Sequence, residues 1–411
     1  MPLRILEKPD LGRLVSPRDN QFLPIHNWYA YKHAYSRELT AYLLKKFCIS
    51  DGDWVLDPFC GGGTTLLTCK ELGINARGYD ILPFSVFLSN AKLLDYNVKA
   101  LKQELNAFRR MRWSRYRPHE QLPDILLVKK AFSPEIGTEL LALRHAIEQI
   151  GDNDVKTLFK LGFLDVLEST SNTSKAGGFL RMVNRNVSRE AIRDKFIEKV
   201  STMVEDVVNS ESDYKRLKTH VTAKIGDARK LPTQRQYDAI ITSPPYPNRH
   251  DYTRIYSLEM ILGFVSTNDA LKKVRYETLR SHVEARKKYR APGYTKPRDL
   301  GRLISEVENN GTNNPQVTKM LEGYFEDMYL CLSEIQRCLK PGGKAAMVVS
   351  NVRFAGVNIP VDELLASIGI QVGLNPKAIL IARYRGNSSQ QMGLYKRSPS
   401  RESIVVWENS V

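Results

Sequence analysis

The sequence predicts an α/β protein built on one mainly parallel sheet that is interrupted twice. Three observations lead there. Trp54-Val55-Leu56-Asp57 is a buried-strand pattern that breaks into a glycine-rich turn followed by a helical stretch. Ala76-Arg77-Gly78-Tyr79-Asp80 then repeats the strand pattern and closes on an acid, which completes one β-α-β unit. The same alternation resumes only at Val221 and returns again at Lys344, leaving two intervening stretches too long for ordinary loops.

Taken in order, the first fifty residues hold an aromatic run, Asn27-Trp28-Tyr29-Ala30-Tyr31, and a helix signal. Ser36 is a suitable N-cap, and Leu39, Tyr42, Leu43 and Phe47 recur at helical spacing. Residues 64–72 read as the helix after the glycine turn. From about Leu93 to Lys218 the pattern is mostly helical, around a polar, glycine-bearing segment at 169–186. Strands follow at 221–227 and 237–241, the second running straight into Thr242-Ser243-Pro244-Pro245-Tyr246. A second interruption, roughly 267–314, is rich in Lys, Arg, Gly and Asn. A helix over 324–339 stops at Lys340-Pro341-Gly342-Gly343, and 344–350 is another strand. Two β-rich runs, 378–384 and 403–407, separated by a polar loop, predict a hairpin at the tail. The expected division is therefore a sheet domain over 1–95, 219–266 and 320–411, a mostly helical insertion over 96–218 and a basic insertion over 267–319.

Composition narrows the function. A hydrophobic share of 42% and a charged share of 26% are ordinary for a globular chain. No run of eighteen apolar residues exists, and the start lacks a secretory pattern, so a cytoplasmic, nucleoid-associated protein is expected. The five cysteines, Cys48, Cys60, Cys69, Cys331 and Cys338, are odd in number and scattered, which predicts a reduced compartment and neither a disulfide framework nor a metal site. The net charge of +16 concentrates polyanions around the chain.

Asp57-Pro58-Phe59-Cys60-Gly61-Gly62-Gly63-Thr64 lies between strand and helix, where glycines let a ligand approach the backbone and the helix start offers N–H groups to a carboxylate. A phosphate-binding loop would need a closing Lys-[Ser/Thr], and a dinucleotide fingerprint a different glycine spacing. The second candidate is Ser243-Pro244-Pro245-Tyr246, directly after a strand and at the edge where such sheets place ligands. An exocyclic amine on a nucleobase is a weak nucleophile because its lone pair is delocalised into the ring. Acceptors on both N–H bonds pull the nitrogen towards tetrahedral geometry. The Ser243 hydroxyl and the Pro244 carbonyl are candidate acceptors, the paired prolines stiffen the turn, and Tyr246 offers a face for a flipped base.

Together these segments resemble motifs I and IV of the class I S-adenosylmethionine-dependent DNA amino-methyltransferases, over about residues 25–95 and 220–410. The resemblance implies a Rossmann-like class I methyltransferase sheet with a C-terminal antiparallel hairpin and two large insertions. It implies S-adenosylmethionine as cofactor, held by Asp57, Pro58, Phe59, Cys60, Gly61, Gly63, Thr64 and Thr65. Asp80, with Ile81, would meet the ribose hydroxyls, and Asp227, with Ala228, the adenine. His33, Tyr35 and Ser36 resemble the N-terminal motif that supports the amino-acid end.

Ser-Pro-Pro-Tyr is similar to the cytosine-N4 group, whereas adenine-N6 enzymes usually have Asp or Asn first. Carbon-5 methylation needs a Pro-Cys pair, which the chain lacks. The implied partners are double-stranded DNA and a cognate restriction endonuclease acting on the same site. Adenine-N6 methylation, an RNA amino-methyltransferase and a catalytically dead nucleic-acid-binding protein are the alternatives.

Target reading is expected from the basic stretch 272–302. Its eleven Lys and Arg face only Glu277, Glu284 and Asp299, and Tyr276, Tyr289 and Tyr294 are interleaved. Lys287, Lys288 and Arg290 are its candidate DNA contacts. Arg249 and Tyr252, which follow the Ser-Pro-Pro-Tyr turn, would touch substrate or hold the structure. The segment 175–181 and Arg109, Arg110, Arg112 and Arg115 form a second candidate surface.

Overall fold

A computed structural model describes residues 3–116, 120–176, 178–214, 218–312, 314–386 and 399–410. Its strands, in chain order, are β1 (Arg4–Glu7), β2 (Trp54–Asp57), β3 (Asn75–Asp80), β4 (Thr173–Ala176), β5 (Phe179–Met182), β6 (Val221–Ile225), β7 (Tyr237–Thr242), β8 (Leu339–Ser350), β9 (Val352–Phe354), β10 (Val357–Ile359), β11 (Leu374–Arg385) and β12 (Ser400–Asn409). Eight of them form one sheet in the order β1-β11-β12-β8-β7-β2-β3-β6. β12 runs antiparallel to both β8 and β11, and every other pairing is parallel. This is the sheet that the resemblance implies, with its antiparallel hairpin at the tail.

The order fixes where a ligand can sit. From β2 the chain steps outward to β3 and β6, then crosses back to lay β7 on the other side of β2. The carboxyl ends of β2 and β7 therefore flank the reversal point, where the connecting segments diverge and leave a crevice. Thr242 Oγ1 donates to Asp57 Oδ1 at 2.7 Å and ties the two strand ends together.

Alternation along the strands divides the core into two faces. Val55, Ala239, Ile241 and Val348 look into one cluster, with Leu39, Leu66 and Leu88. Leu56, Ile240, Met347 and Trp407 look into the other, with Phe325 and Leu332 of helix Gln316–Cys338. Helices Val98–Arg110, Pro134–Glu148, Asn153–Ser169 and Arg189–Tyr214 occupy the helical stretch and pack into the first cluster through Phe108, Leu140, Phe159 and Phe196.

Several elements differ from the sequence reading. The polar segment within the helical stretch contains the antiparallel hairpin β4–β5; Gly177, between its strands, lies outside the described residues. The strand expected at 344 already starts at Leu339, with a register shift against β7 where Pro341-Gly342-Gly343 bulge out. β1 and the small hairpin β9–β10 had no periodic signal because each is three or four residues long. Much of the polar tail loop, 387–398, is outside the described residues.

Candidate active site

Ser36 caps helix Arg37–Lys46 by accepting the Leu39 N–H at 3.1 Å, which aims the preceding residues at the sheet edge. Tyr35 then reaches Asp57 Oδ2 at 3.2 Å and bonds Thr65 Oγ1. Asp57 also accepts the Phe59 N–H, so this carboxylate is a bracket joining the N-terminal segment, the glycine loop and β7. Gly61 and Gly63 take positive φ, and Gly63 begins helix Thr64–Glu71 without a side-chain cap. The first N–H groups of that helix are left for a ligand.

A cavity opens at this edge. Its wall takes Pro58 to Gly62 and Thr64 from the loop, Asp80 and Ile81 after β3, Asp227 and Ala228 after β6, and Ser243 and Pro245 after β7. His33 and Tyr35 close one side. Asp80 accepts the Gly61 N–H at 3.0 Å and the Leu82 N–H at 2.9 Å. Burial pushes the carboxyls of Asp57 and Asp80 up to about 6. Among the described residues no Lys or Arg lines this cavity, and burial lowers the pKa of the His33, His250 and His282 imidazoles, His33 to about 4.

A second, smaller cavity adjoins the first and shares His33, Ala34, Tyr35 and Ser243 with it. Val15, Ser16 and Pro17 from the N-terminal segment line it too, with Tyr246, Val348, Arg383, Arg385 and Glu402. Ser243 Oγ lies 3.1 Å from the Val348 carbonyl, to which it donates, and 3.4 Å from the Tyr246 hydroxyl. Its lone pairs are thus available as acceptors. No hydrogen bond among the described residues ends on the Pro244 carbonyl.

The glycine loop and the Ser-Pro-Pro-Tyr turn therefore meet at one edge, through two adjoining cavities with Ser243 between them. Not every candidate residue reaches them. Ser36 and Thr65 are buried, with their hydroxyls spent on the helix cap and on Tyr35. Asp227 lines the first cavity, but the Arg229 guanidinium grips it at 2.8–2.9 Å and, against the upward push of burial, holds it below the usual carboxylate range. Tyr252 lines the cavity stacked on Tyr31, at 6.4 Å between ring centres, and is no free surface group.

Among the basic candidates, Lys287 lies 3.9 Å from Asp227, while Arg249, Lys288 and Arg290 are exposed. Lys175, in the second candidate surface, is buried between Glu168 and Glu259 and donates to the Tyr29 hydroxyl, so phosphate contact is closed to it.

Sequence reasoning missed several wall residues. Tyr31 packs over the glycine turn, where a Cβ on Gly62 would stand 2.8 Å from the Tyr31 Cβ. Its place in an aromatic run beside His33 was the available signal. Thr278, Ser281 and His282 come from the basic insertion, and no local pattern marks them. His282 also borders an open groove of about 1730 Å³ that holds Arg286, Lys288, Lys296 and Lys319.

Comparison with known proteins gives this edge its family. A family described as DNA methylase matches residues 9–89. The Type II methyltransferase M.BsoBI of Geobacillus stearothermophilus is 33% identical over 96% of this chain and 88% of its own length. The chain belongs to the S-adenosylmethionine-dependent DNA amino-methyltransferases. The Type II methyltransferase M.AvaI of Anabaena variabilis is 30% identical to this methyltransferase with the same coverage, and M.MvaI of Kocuria varians 23% over 76% of it and 73% of its own length. Among solved structures, the rRNA methyltransferase aviRa of Streptomyces viridochromogenes aligns at a TM-score of 0.33, with 10% identity over 92% of this chain and 86% of that one.

S-adenosylmethionine is the cofactor, and the first cavity suits it. The cavity offers an uncapped helix start for a carboxylate, the buried and unpartnered Nε2 of His33, and acidic groups around a wall free of Lys and Arg.

Proposed function

We propose that this enzyme methylates the exocyclic N4 of cytosine in duplex DNA, as the modification half of a type II restriction–modification system. The carrying observation is Ser243: it borders both cavities, and with its proton on the nearer of its two acceptors, the Val348 carbonyl, it presents acceptor lone pairs where they join. When bound, S-adenosylmethionine supplies an electrophilic methyl group. The glycine loop from Asp57 to Thr64 and the acids Asp80 and Asp227 hold it in the first cavity.

The flipped base enters the second cavity against Tyr246, worth roughly 1–3 kcal/mol of stacking. Ser243 Oγ and the Pro244 carbonyl accept from the two amine N–H groups and localise the lone pair on nitrogen. The Ser-Pro-Pro-Tyr form and the relatives named Type II methyltransferases support this reading. Exposed Lys288 and Arg290, beside the open basic groove, supply phosphate contacts, and the stretches 96–218 and 267–319 share target reading.

The test is transfer of labelled methyl groups to plasmid DNA, with tRNA as competitor, followed by separation of the modified bases. Label in N4-methylcytosine is expected. Label in N6-methyladenine alone, or in RNA alone, overturns the proposal.

A further inference from the structure

The second cavity holds a charged cluster that neither motif contains. Glu402 on β12 is buried, and its carboxylate receives Arg383 Nε at 2.6 Å, the Arg385 guanidinium at 3.5 Å and the Tyr246 hydroxyl at 3.4 Å. Arg383 stands opposite Glu402 in the β11–β12 register, so the sheet itself fixes that pair. Arg385 follows two positions later and projects to the same face.

Two guanidinium groups against one carboxylate leave an excess of positive charge and of donors. Each guanidinium carries five N–H bonds, and among the described residues Glu402 is their only ion-pair partner. Glu402 is buried, while Arg383 is partly and Arg385 half exposed along the cavity, so their remaining donors are left to water until a ligand displaces it. A ligand with adjacent acceptors would satisfy them.

We infer that Arg383 and Arg385, braced by Glu402, read the ring edge of the flipped cytosine by donating to its N3 and O2. The inference rests on the proposed function, because it takes the amine to be held at Ser243. Along one edge of cytosine lie the N4 amine, N3 and O2, in the order donor, acceptor, acceptor. The cavity wall offers the complement: the Ser243 lone pairs, then guanidinium donors. Adenine with its amine at Ser243 presents N1 and then a C–H, and leaves one donor unpaired. Thymine presents O4 to the Ser243 acceptor and an N–H to the arginines, a mismatch at both points. A pocket built to hydrogen-bond discriminates strongly against bases that leave its polar groups unpaired.

Arg383 also staples two strands, so the informative position is Arg385, which is half-exposed and only loosely bound to Glu402. The full-length protein, its Arg385→Gln variant and its Arg385→Lys variant are compared for plasmid methylation, modified-base ratio and S-adenosylmethionine affinity by calorimetry. Arg385→Gln is expected to lower kcat/KM for DNA roughly 10–100-fold, with cofactor affinity within about twofold. The share of label in N6-methyladenine should rise, and Arg385→Lys should recover part of the loss. Unchanged kcat/KM and base ratio in Arg385→Gln would overturn the inference. Loss of cofactor binding in both variants would also overturn it, since the cluster would then be a structural staple. A wild-type protein that labels only adenine or RNA instead defeats the proposed function, before any variant is made.

Discussion

The two adjoining cavities have opposite electrostatic character. The first is walled by three carboxylates, Asp57, Asp80 and the Arg229-paired Asp227, and among the described residues by no Lys or Arg. The second sets two arginines against one glutamate. A methyl donor with a sulfonium centre is favoured beside the acids, and an acceptor-rich ring beside the guanidinium groups. Ser243, uncharged and common to both, stands where charge of neither sign would suit both occupants.

The largest expected effect separates the cavities outright. Ser243→Ala removes an acceptor at the reacting amine, and Tyr246→Ala removes the stacking face. Each should lower kcat by about 10²–10³-fold, the loss typical of one preorganised polar group at a reaction centre. Cofactor affinity should stay within about threefold, because the first cavity keeps its other walls. Single-turnover methylation and calorimetry measure the two quantities, and a parallel loss of both would merge the cavities into one site.

Asp80→Ala tests the other side. The loss of a charged acceptor should weaken S-adenosylmethionine roughly 10–100-fold, by about 1.5–3 kcal/mol, while kcat at saturating cofactor is kept. The pH dependence sharpens this. Burial lifts the Asp80 carboxyl to about 6, so its charged acceptor disappears as the pH falls through that value, and cofactor affinity should drop between pH 7 and 5. Stability of the cofactor-free protein responds with the opposite sign. A carboxyl whose folded pKa is raised favours the fold most when protonated, so Asp57 and Asp80 contribute added stability as the pH falls over the same window. Titration calorimetry and urea unfolding at both pH values check the pair of signs.

The cavities were also unequally legible in the sequence. The first comes from contiguous loops after β2, β3 and β6, so its chemistry lies in short runs such as 57–64, and Asp80 and Asp227 close strand patterns. The second is assembled across the sheet: Val348, Arg383 and Glu402 lie on β8, β11 and β12, and only the fold brings them to Ser243. In a sequence with 61 Lys and Arg, nothing distinguishes Arg383 or Arg385 from a solvated cation. Lys175 shows the converse, a cation that reads as a surface group and is buried between two glutamates. The strand periodicities carried the sheet because each core strand has apolar residues on both faces, while the edge strand β1 was too short and too exposed to show.

Gly63 tests how far the first cavity depends on backbone shape. Its φ is +79°, and a Cβ there would stand 2.8 Å from Ser89 Oγ and 3.0 Å from Ser89 Cα. Gly63→Ala should cost about 1–3 kcal/mol of stability. The cofactor should bind several-fold more weakly to the folded fraction. Stability unchanged in urea would mean that the loop adapts, and that its glycine is there for the ligand alone.

The smallest effect lies outside both cavities. No ion pair among the described residues engages Lys288 or Arg290, and both are exposed. As phosphate contacts, each should act through counterion release. Lys288→Ala and Arg290→Ala should each reduce the slope of log K against log salt by about one and weaken DNA binding evenly across sequences. Base ratio and cofactor affinity should not move, because neither residue lines the cofactor cavity or the second cavity. Lys175→Met is the contrast: its ammonium is held by Glu168 and Glu259, so it should leave the salt slope untouched while destabilising the fold. Should Lys175→Met lower the slope and Lys288→Ala leave it unchanged, DNA would lie along the helical stretch instead, and the basic groove beside His282 would lose its role.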